Sequence, residues 1–528
     1  MAPQANPERR AGLPLGELIR LLEARGLLRS AQLGRSNSPA ATVLQAVTLD
    51  SRAVRPGSLF VAVPGSRVDG HDFVADAVAA GASAVVAERV TPLLGVAQLL
   101  VPAARPAPAL VAAALHGFPS HELGVIGVTG TDGKTTTSFL LRSVLAASGV
   151  TCGLVGTIET SAGGRVISRG RQTTPEAPEL QAALAAMLAA GDRFAVVEST
   201  SHGLAQERVG EVAYDVAVLT NLAHEHLEFH RTPEAYLAAK RGLFERLAVG
   251  EANPEKGRGK WALLNIYEPA AAEFGSAAAR AGARRLSYGT SAAADVRALR
   301  IEEHAAGLRV LMRAPRWDVS VSLQLAGLFN AHNALAAAAV GEVLGLPEEG
   351  IRRGLEGLAG VPGRMQRVHA GQPFNVVVDY AHTADSLAKV LDNLAPLAAA
   401  GGGGLLAVFG SAGERDTLKR PMMGRVAGER CRLVVLTDED PRGEDRLAIL
   451  EEIAAGAEQL GRRRGHDLLL IPDRGEAIAA ALEQARPGDV VVLCGKGHEQ
   501  TIETAQGAVE WDEVEAVRAA LAGLGYGS

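Results

Sequence analysis

The chain reads as an α/β protein of three domains: a small first domain, a central P-loop-type parallel sheet, and a C-terminal Rossmann-like doubly wound domain. Three observations predict this. At 528 residues the chain is too long for a single core. Short apolar runs alternate with segments of helical spacing, the pattern of a parallel sheet covered by helices. Pro102, Pro106 and Pro108 mark a linker or irregular edge before the middle section, and the strand–helix pattern restarts at about residue 361. The expected domains are therefore 1–120, 121–360 and 361–528.

In the first domain, Leu15 to Leu28 has amphipathic helical spacing, and Val43 to Thr48 and Ala84 to Ala87 read as strands. Phe73 to Ala80 is a helix ended by Gly81. The middle section opens on Leu123-Gly124-Val125-Ile126, a buried strand, followed by Gly127-Val128-Thr129-Gly130-Thr131-Asp132-Gly133-Lys134-Thr135-Thr136-Thr137 and a helix toward Gly149. Strand, glycine loop and helix together aim backbone N–H groups and a helix N-terminus at a phosphate. Lys134 would reach the terminal phosphates and the Thr135 hydroxyl would ligate Mg²⁺. The strict P-loop pattern asks for glycine where Val128 stands.

Further strands are Phe194 to Val197, Val216 to Leu219 and Trp261 to Leu264. Leu308 to Leu325 alternates like antiparallel strands, and Ala331 to Leu344 is an Ala-rich helix. The last domain offers five strands, at Val376–Asp379, Leu405–Phe409, Leu433–Leu436, Leu468–Ile471 and Val490–Leu493. It has no G-x-G-x-x-G turn, so nothing supports a dinucleotide role.

Composition excludes several classes. A formal net charge of −6 argues against a general nucleic-acid or anionic-membrane binder. No apolar run reaches the roughly 18 residues of a membrane span, and Met1 to Gly12 has no signal-peptide core, so a cytoplasmic location is expected. Cys152, Cys431 and Cys494 form no metal spacing, and Cys494 reads as a buried thiol.

Several polar stretches accompany the glycine loop: Glu198-Ser199-Thr200-Ser201-His202, Thr220-Asn221-Leu222-Ala223-His224-Glu225-His226, Phe329-Asn330-Ala331-His332-Asn333, Asp379-Tyr380-Ala381-His382 and Gly495-Lys496-Gly497-His498-Glu499. Most follow strands, where open parallel sheets bind ligands. As a set, over nearly the whole chain, they resemble the Mur ligase family, in its branch that adds a diamino acid. The resemblance implies an ATP-dependent ligase, acting as a monomer on small molecules. It would activate the D-glutamate carboxylate of UDP-MurNAc-L-Ala-D-Glu as an acyl phosphate, which the amine of a diamino acid attacks.

The resemblance also implies roles. Gly130, Thr131, Asp132, Gly133, Lys134, Thr135 and Thr136 hold ATP phosphates, Asn330 and Asn333 lie near adenine, and Arg364 and Asp379 meet phosphate and ribose. His382 sits near the transferred phosphate. Glu198 and His226 match ligands of a second Mg²⁺, although Mg²⁺ prefers oxygen to imidazole. Lys240 matches a lysine carbamoylated by CO₂; read without the resemblance it is an exposed helix lysine. Leu49, Ser51, Ser66, Arg67 and Val68 match uridine-binding positions. Gln172, Thr173, Thr174, Thr200, Gln206 and Arg208 match contacts to diphosphate, sugar or peptide.

The third substrate turns on Glu439-Asp440-Pro441-Arg442, which stands where diaminopimelate enzymes of the family carry D-N-P-R. Arg415, Arg442, Gly495 and Glu499 complete the implied amino-acid site. An Asp in place of Asn would repel the distal carboxylate of meso-diaminopimelate by about 1–4 kcal/mol at 4 Å, and would welcome the bare ammonium of lysine or ornithine. L-Lysine or L-ornithine is therefore expected, with meso-2,6-diaminopimelate as the alternative. A non-enzymatic relative that only binds the UDP-sugar peptide would have lost Lys134, Glu198, His226 or Lys240, and all four are present.

Overall fold

A computed structural model of the chain describes residues 12–34, 38–65, 68–92, 95–169, 172–223, 227–250, 259–304 and 307–527. It divides into two compact units: residues 1–299, 312–319 and 332–355 in one, and 300–311, 320–331 and 356–528 in the other.

The first unit holds two sheets. The smaller runs in the order Ser30–Gln32, Ala97–Leu100, Ala84–Ala87, Ser58–Val61, Ala46–Thr48, parallel except for its first pair. The expected strand over 43–48 is broken in two, because the Gln45 N–H donates to Gly57 O and Val43–Leu44 pairs instead with Leu13–Pro14. Pro102 lies in an irregular stretch as expected, but Pro106 caps the buried helix Ala107–Leu115 and Pro108 stands in its first turn, where a missing N–H costs nothing.

The larger sheet is centred on Gly124–Thr129, flanked by Phe194–Glu198 and Val216–Leu219, all parallel and fully buried. Trp261–Asn265 and Arg284–Gly289 extend it in parallel on one side. Cys152–Val155 and an antiparallel hairpin, Thr160–Ala162 with Arg165–Ser168, extend it on the other. Farther along the strand order come Val296–His304, Gly307–Arg313 and Asp318–Leu323, of which residues 300–311 and 320–323 count with the second unit; the last two strands show the expected in–out alternation. The Ala-rich helix spans Phe329–Val343, so Asn330 lies inside its first turn.

The second unit carries a six-stranded sheet in the order Gln366–Val368, Asn375–Val378, Val490–Leu493, Leu405–Phe409, Leu433–Leu436, Leu468–Leu470. All five expected strands are present and parallel, and the unforeseen first strand adds antiparallel at the edge. Val and Leu cover both faces, one packed beneath Ala384–Ala400 and Arg446–Glu458, the other beneath Arg474–Glu483 and Glu513–Gly523. Cys431 and Cys494 are buried in this unit, Cys152 is partly covered in the other, and all three are free thiols.

Candidate active site

Two glycines shape the phosphate loop. At Gly130 φ is +149° and an added Cβ would lie 1.9 Å from Thr220 Oγ1; at Gly133 φ is +81° and a Cβ would lie 2.4 Å from Asn333 Oδ1. Backbone and walls are thus too close for any side chain. Asn221 takes the Thr131 N–H on its carbonyl and the Asp132 N–H on its side chain, at 2.7 and 2.8 Å. The Thr220 hydroxyl donates to Asp132 O at 2.6 Å, and Thr131 Oγ1 lies 2.8 Å from Tyr236 Oη. Lys134 opens the helix Lys134–Ala147, and its Nζ folds back to donate to Gly130 O and Thr131 O at 2.9 and 2.7 Å. Thr135 and Thr136 follow, both buried.

Glu198, at the end of its strand, is fully buried. Its Oε2 accepts from the Thr135 hydroxyl at 3.0 Å and the Thr157 hydroxyl at 2.9 Å, and its Oε1 accepts the Thr157 N–H at 3.1 Å. Burial pushes its carboxyl above the usual range, with the Lys134 charge and these hydrogen bonds pulling the other way. A Cβ at Gly156 would stand 2.2 Å from Glu198 Oε1, so Gly156-Thr157 wraps the carboxylate closely. Thr157 was not foreseen as a site residue; its signal is a Gly-Thr pair just past a strand.

Lys240 is buried, correcting the reading of an exposed helix lysine. Its Nζ donates to Gly130 O at 2.6 Å and lies over the Tyr236 ring, 4.5 Å from the centroid. Tyr236 precedes it by one turn on the helix Pro233–Glu245, and both face the core. Lys134, Thr135, Glu198 and Lys240 therefore converge on one loop.

The expected sugar and peptide contacts join the same network. Thr173 Oγ1 is 3.1 Å from Thr157 Oγ1. The Thr174 hydroxyl donates to Glu198 O at 2.7 Å and lies 3.0 Å from Thr200 Oγ1, which caps the helix Ser201–Ala205. Arg208 donates to Gln172 Oε1, Thr174 O and Gln206 Oε1 at 2.6, 3.0 and 2.6 Å. The Asn333 side chain meets the Thr137 hydroxyl at 3.4 Å. Leu49, Ser51 and Val68 stand beyond the carboxyl ends of the neighbouring strands Ala46–Thr48 and Ser58–Val61. Ser66, Arg67 and His226 lie outside the described residues.

In the second unit, Asn330 is buried and its amide donates to Ala326 O at 2.6 Å. Asp379 accepts the backbone N–H of Met365 and of Ala381, both at 2.8 Å; burial raises its carboxyl and the neighbouring Arg364 opposes the rise. Arg364 lies over the Tyr380 ring at 4.7 Å, and His382 Nδ1 is 3.0 Å from Tyr380 O. Farther along the strand ends, Lys496 Nζ bridges Asp440 Oδ1 and Glu499 Oε2, both at 2.7 Å. The Glu503 N–H adds to Asp440 Oδ1 at 2.9 Å. Gly495 packs on Glu439, which is buried and raised by that burial. Arg442 donates to Gly413 O at 3.1 Å, and Arg415 is exposed. The carboxylate of Asp440 is thus committed to a lysine of the same chain, which a sequence-level view of a free Asp missed.

This geometry defines a nucleotide-dependent ligase scaffold, and comparison with known proteins agrees. Residues 128–341 match the Mur ligase middle domain, 363–497 the Mur ligase glutamate ligase domain, and 43–122 the Mur ligase family catalytic domain. The chain is 48% identical over 488 residues to a UDP-N-acetylmuramyl-tripeptide synthetase of Roseiflexus sp., covering 91% of this chain and 95% of that one. It is 40% identical over 506 residues to a UDP-N-acetylmuramoyl-L-alanyl-D-glutamate–2,6-diaminopimelate ligase of Solibacter usitatus, covering 95% and 98%. A solved ligase of the latter description, 31% identical, superposes with a TM-score of 0.64 over 93% of this chain and 97% of that one. The chain belongs to the Mur ligase family. It is an ATP-dependent amide ligase of peptidoglycan synthesis.

Proposed function

We propose that the chain joins a diamino acid to the D-glutamate carboxylate of UDP-MurNAc-L-Ala-D-Glu, with ATP giving ADP and phosphate. The supporting observation is the buried Glu198 tied to Thr135 and Thr157 beside the phosphate loop. The three domains share the work: 1–120 for the uridine nucleotide, 121–360 for ATP, 361–528 for the amino acid. We extend the reading to a cytoplasmic monomer acting on soluble substrates.

Lys134 exchanges its loop carbonyls for the terminal phosphates, and Asn330 and Asn333 take the adenine. Arg364 and Asp379 hold phosphate and ribose, with His382 beside the transferred group. Among the described residues no group of three or more His, Cys, Asp or Glu could hold a metal. Thr135 and Glu198 nonetheless suit Mg²⁺, which takes one or two carboxylates and completes its shell with phosphate oxygens and water. A carbamate on the buried Lys240, with His226, would add to that donor set. The ion would neutralise charge on the phosphoryl group in transfer.

The Asp440–Lys496 pair bears on the third substrate. Lys496, shared between Asp440 and Glu499, weakens Asp440's repulsion of a distal carboxylate and its pull on an ammonium alike; relatives named for 2,6-diaminopimelate then favour meso-diaminopimelate over lysine or ornithine. Phosphate release from ATP and UDP-MurNAc-L-Ala-D-Glu, with each amino acid in turn and with bicarbonate present, tests both statements. Release only with lysine or ornithine would overturn the preference; no amino-acid-dependent release would overturn the ligase reading.

A further inference from the structure

Two loops of the proposed amino-acid site leave the sheet at strands that are not neighbours. Glu439-Asp440 follows Leu433–Leu436 and Gly495-Lys496 follows Val490–Leu493, with Leu405–Phe409 between them. One side chain reaches both. Arg474, fully buried at the start of the helix Arg474–Glu483, donates to Asp438 O at 2.8 Å and to Cys494 O at 2.9 Å. These carbonyls belong to the residues immediately before Glu439 and Gly495. The rest of the guanidinium forms a fork on Glu513, at 2.8 and 2.5 Å, with both side chains wholly buried. Trp511 Nε1 donates to the same carboxylate at 2.6 Å.

We propose that Arg474, held by Glu513 and Trp511, is a positioning residue for the incoming amino acid. It sets the spacing of the two loops that carry Glu439, Asp440, Gly495 and Lys496. A buried arginine needs a matching anion, and a planar fork fixes direction as well as charge. Lysine has one point of charge and cannot grip Glu513 and both carbonyls in that geometry. The inference rests on the ligase reading and adds to it a residue that touches no substrate. It also couples the last helix, Glu513–Gly523, to amino-acid binding.

The test is steady-state kinetics of the full-length enzyme, varying each of the three substrates separately, for Arg474→Lys, Glu513→Gln and Trp511→Phe. Arg474→Lys and Glu513→Gln are expected to raise KM for the amino acid roughly tenfold or more, with KM for ATP and for the UDP-dipeptide within about twofold of wild type. Trp511→Phe, which leaves the ion pair in place, is expected to raise the amino-acid KM about two- to threefold at an unchanged Tm. It decides the matter if the other two variants do not fold. Equal changes in all three KM values, or an amino-acid KM that does not move in any folded variant, would overturn the positioning role while leaving the ligase reading intact. A wild-type enzyme without amino-acid-dependent turnover would overturn both.

Discussion

The phosphate-loop site and the amino-acid loops treat their charges in opposite ways. Around the loop, Glu198 is wrapped by two hydroxyls and an N–H, and Lys134 rests on backbone carbonyls. Neither charge is spent on a direct ion pair with the other. In the second unit the charges are paired within the chain: Lys496 is shared between Asp440 and Glu499, which leaves one net negative charge, and Arg474 forks on Glu513. A site whose charges are held by neutral groups is set for a charged ligand. A site whose charges are paired internally offers shape and direction instead.

The largest expected effect follows from the first half of this contrast. Lys134→Met should lower kcat by about 10³-fold, because the Lys134 ammonium at the head of the helix supplies positive charge that a transferring phosphoryl group needs. Glu198→Gln keeps the volume and should cost about 10²-fold or more in kcat, while its Tm at pH 8 is equal to or above that of the wild type without Mg²⁺. The sign follows from linkage. Burial raises the folded-state pKa of Glu198, so the folded chain holds its proton more tightly than the unfolded chain. This group therefore costs stability as pH rises from the ordinary carboxylate range through the raised value, and the amide removes that cost. A Glu198→Gln variant that unfolds earlier than wild type at pH 8 would break the contrast.

Asp440→Asn probes the second half. A free carboxylate would shift the diaminopimelate-to-lysine ratio of kcat/KM by about 1–4 kcal/mol. A carboxylate paired with Lys496 should shift it by less than about threefold. Competition assays with both amino acids in one reaction measure the ratio directly. The smallest effect is structural: Thr383→Ala removes a capping box at the helix Ala384–Ala400 and should cost about 1 kcal/mol by denaturant titration, leaving the phosphate loop untouched.

Most of the frame was legible in the residues. Val-rich runs gave all five parallel strands of the second unit, and the glycine loop announced the turn before Lys134. What stayed hidden was side-chain pairing at long range. Lys240 reads as exposed because helical lysines usually are; only Tyr236 one turn earlier, equally buried, hints at an inward face. Asp440 and Lys496 are 56 residues apart, and Arg474 and Glu513 are 39 apart, so no local pattern ties either pair. Pro106 and Pro108 misled for a different reason: proline breaks a helix interior but suits its start.

The three thiols carry a practical consequence. Burial pushes Cys152 and Cys431 each up to about 12, and Cys494 well above its ordinary value. Burial also keeps a maleimide or iodoacetamide away from Cys431 and Cys494, whereas Cys152 is only partly covered. With Cys152→Ser, the chain becomes a low-background host for covalent labelling. Leu418→Cys, at a position 79% exposed, would then carry the accessible sulfur, and a fluorophore there would report on the second unit.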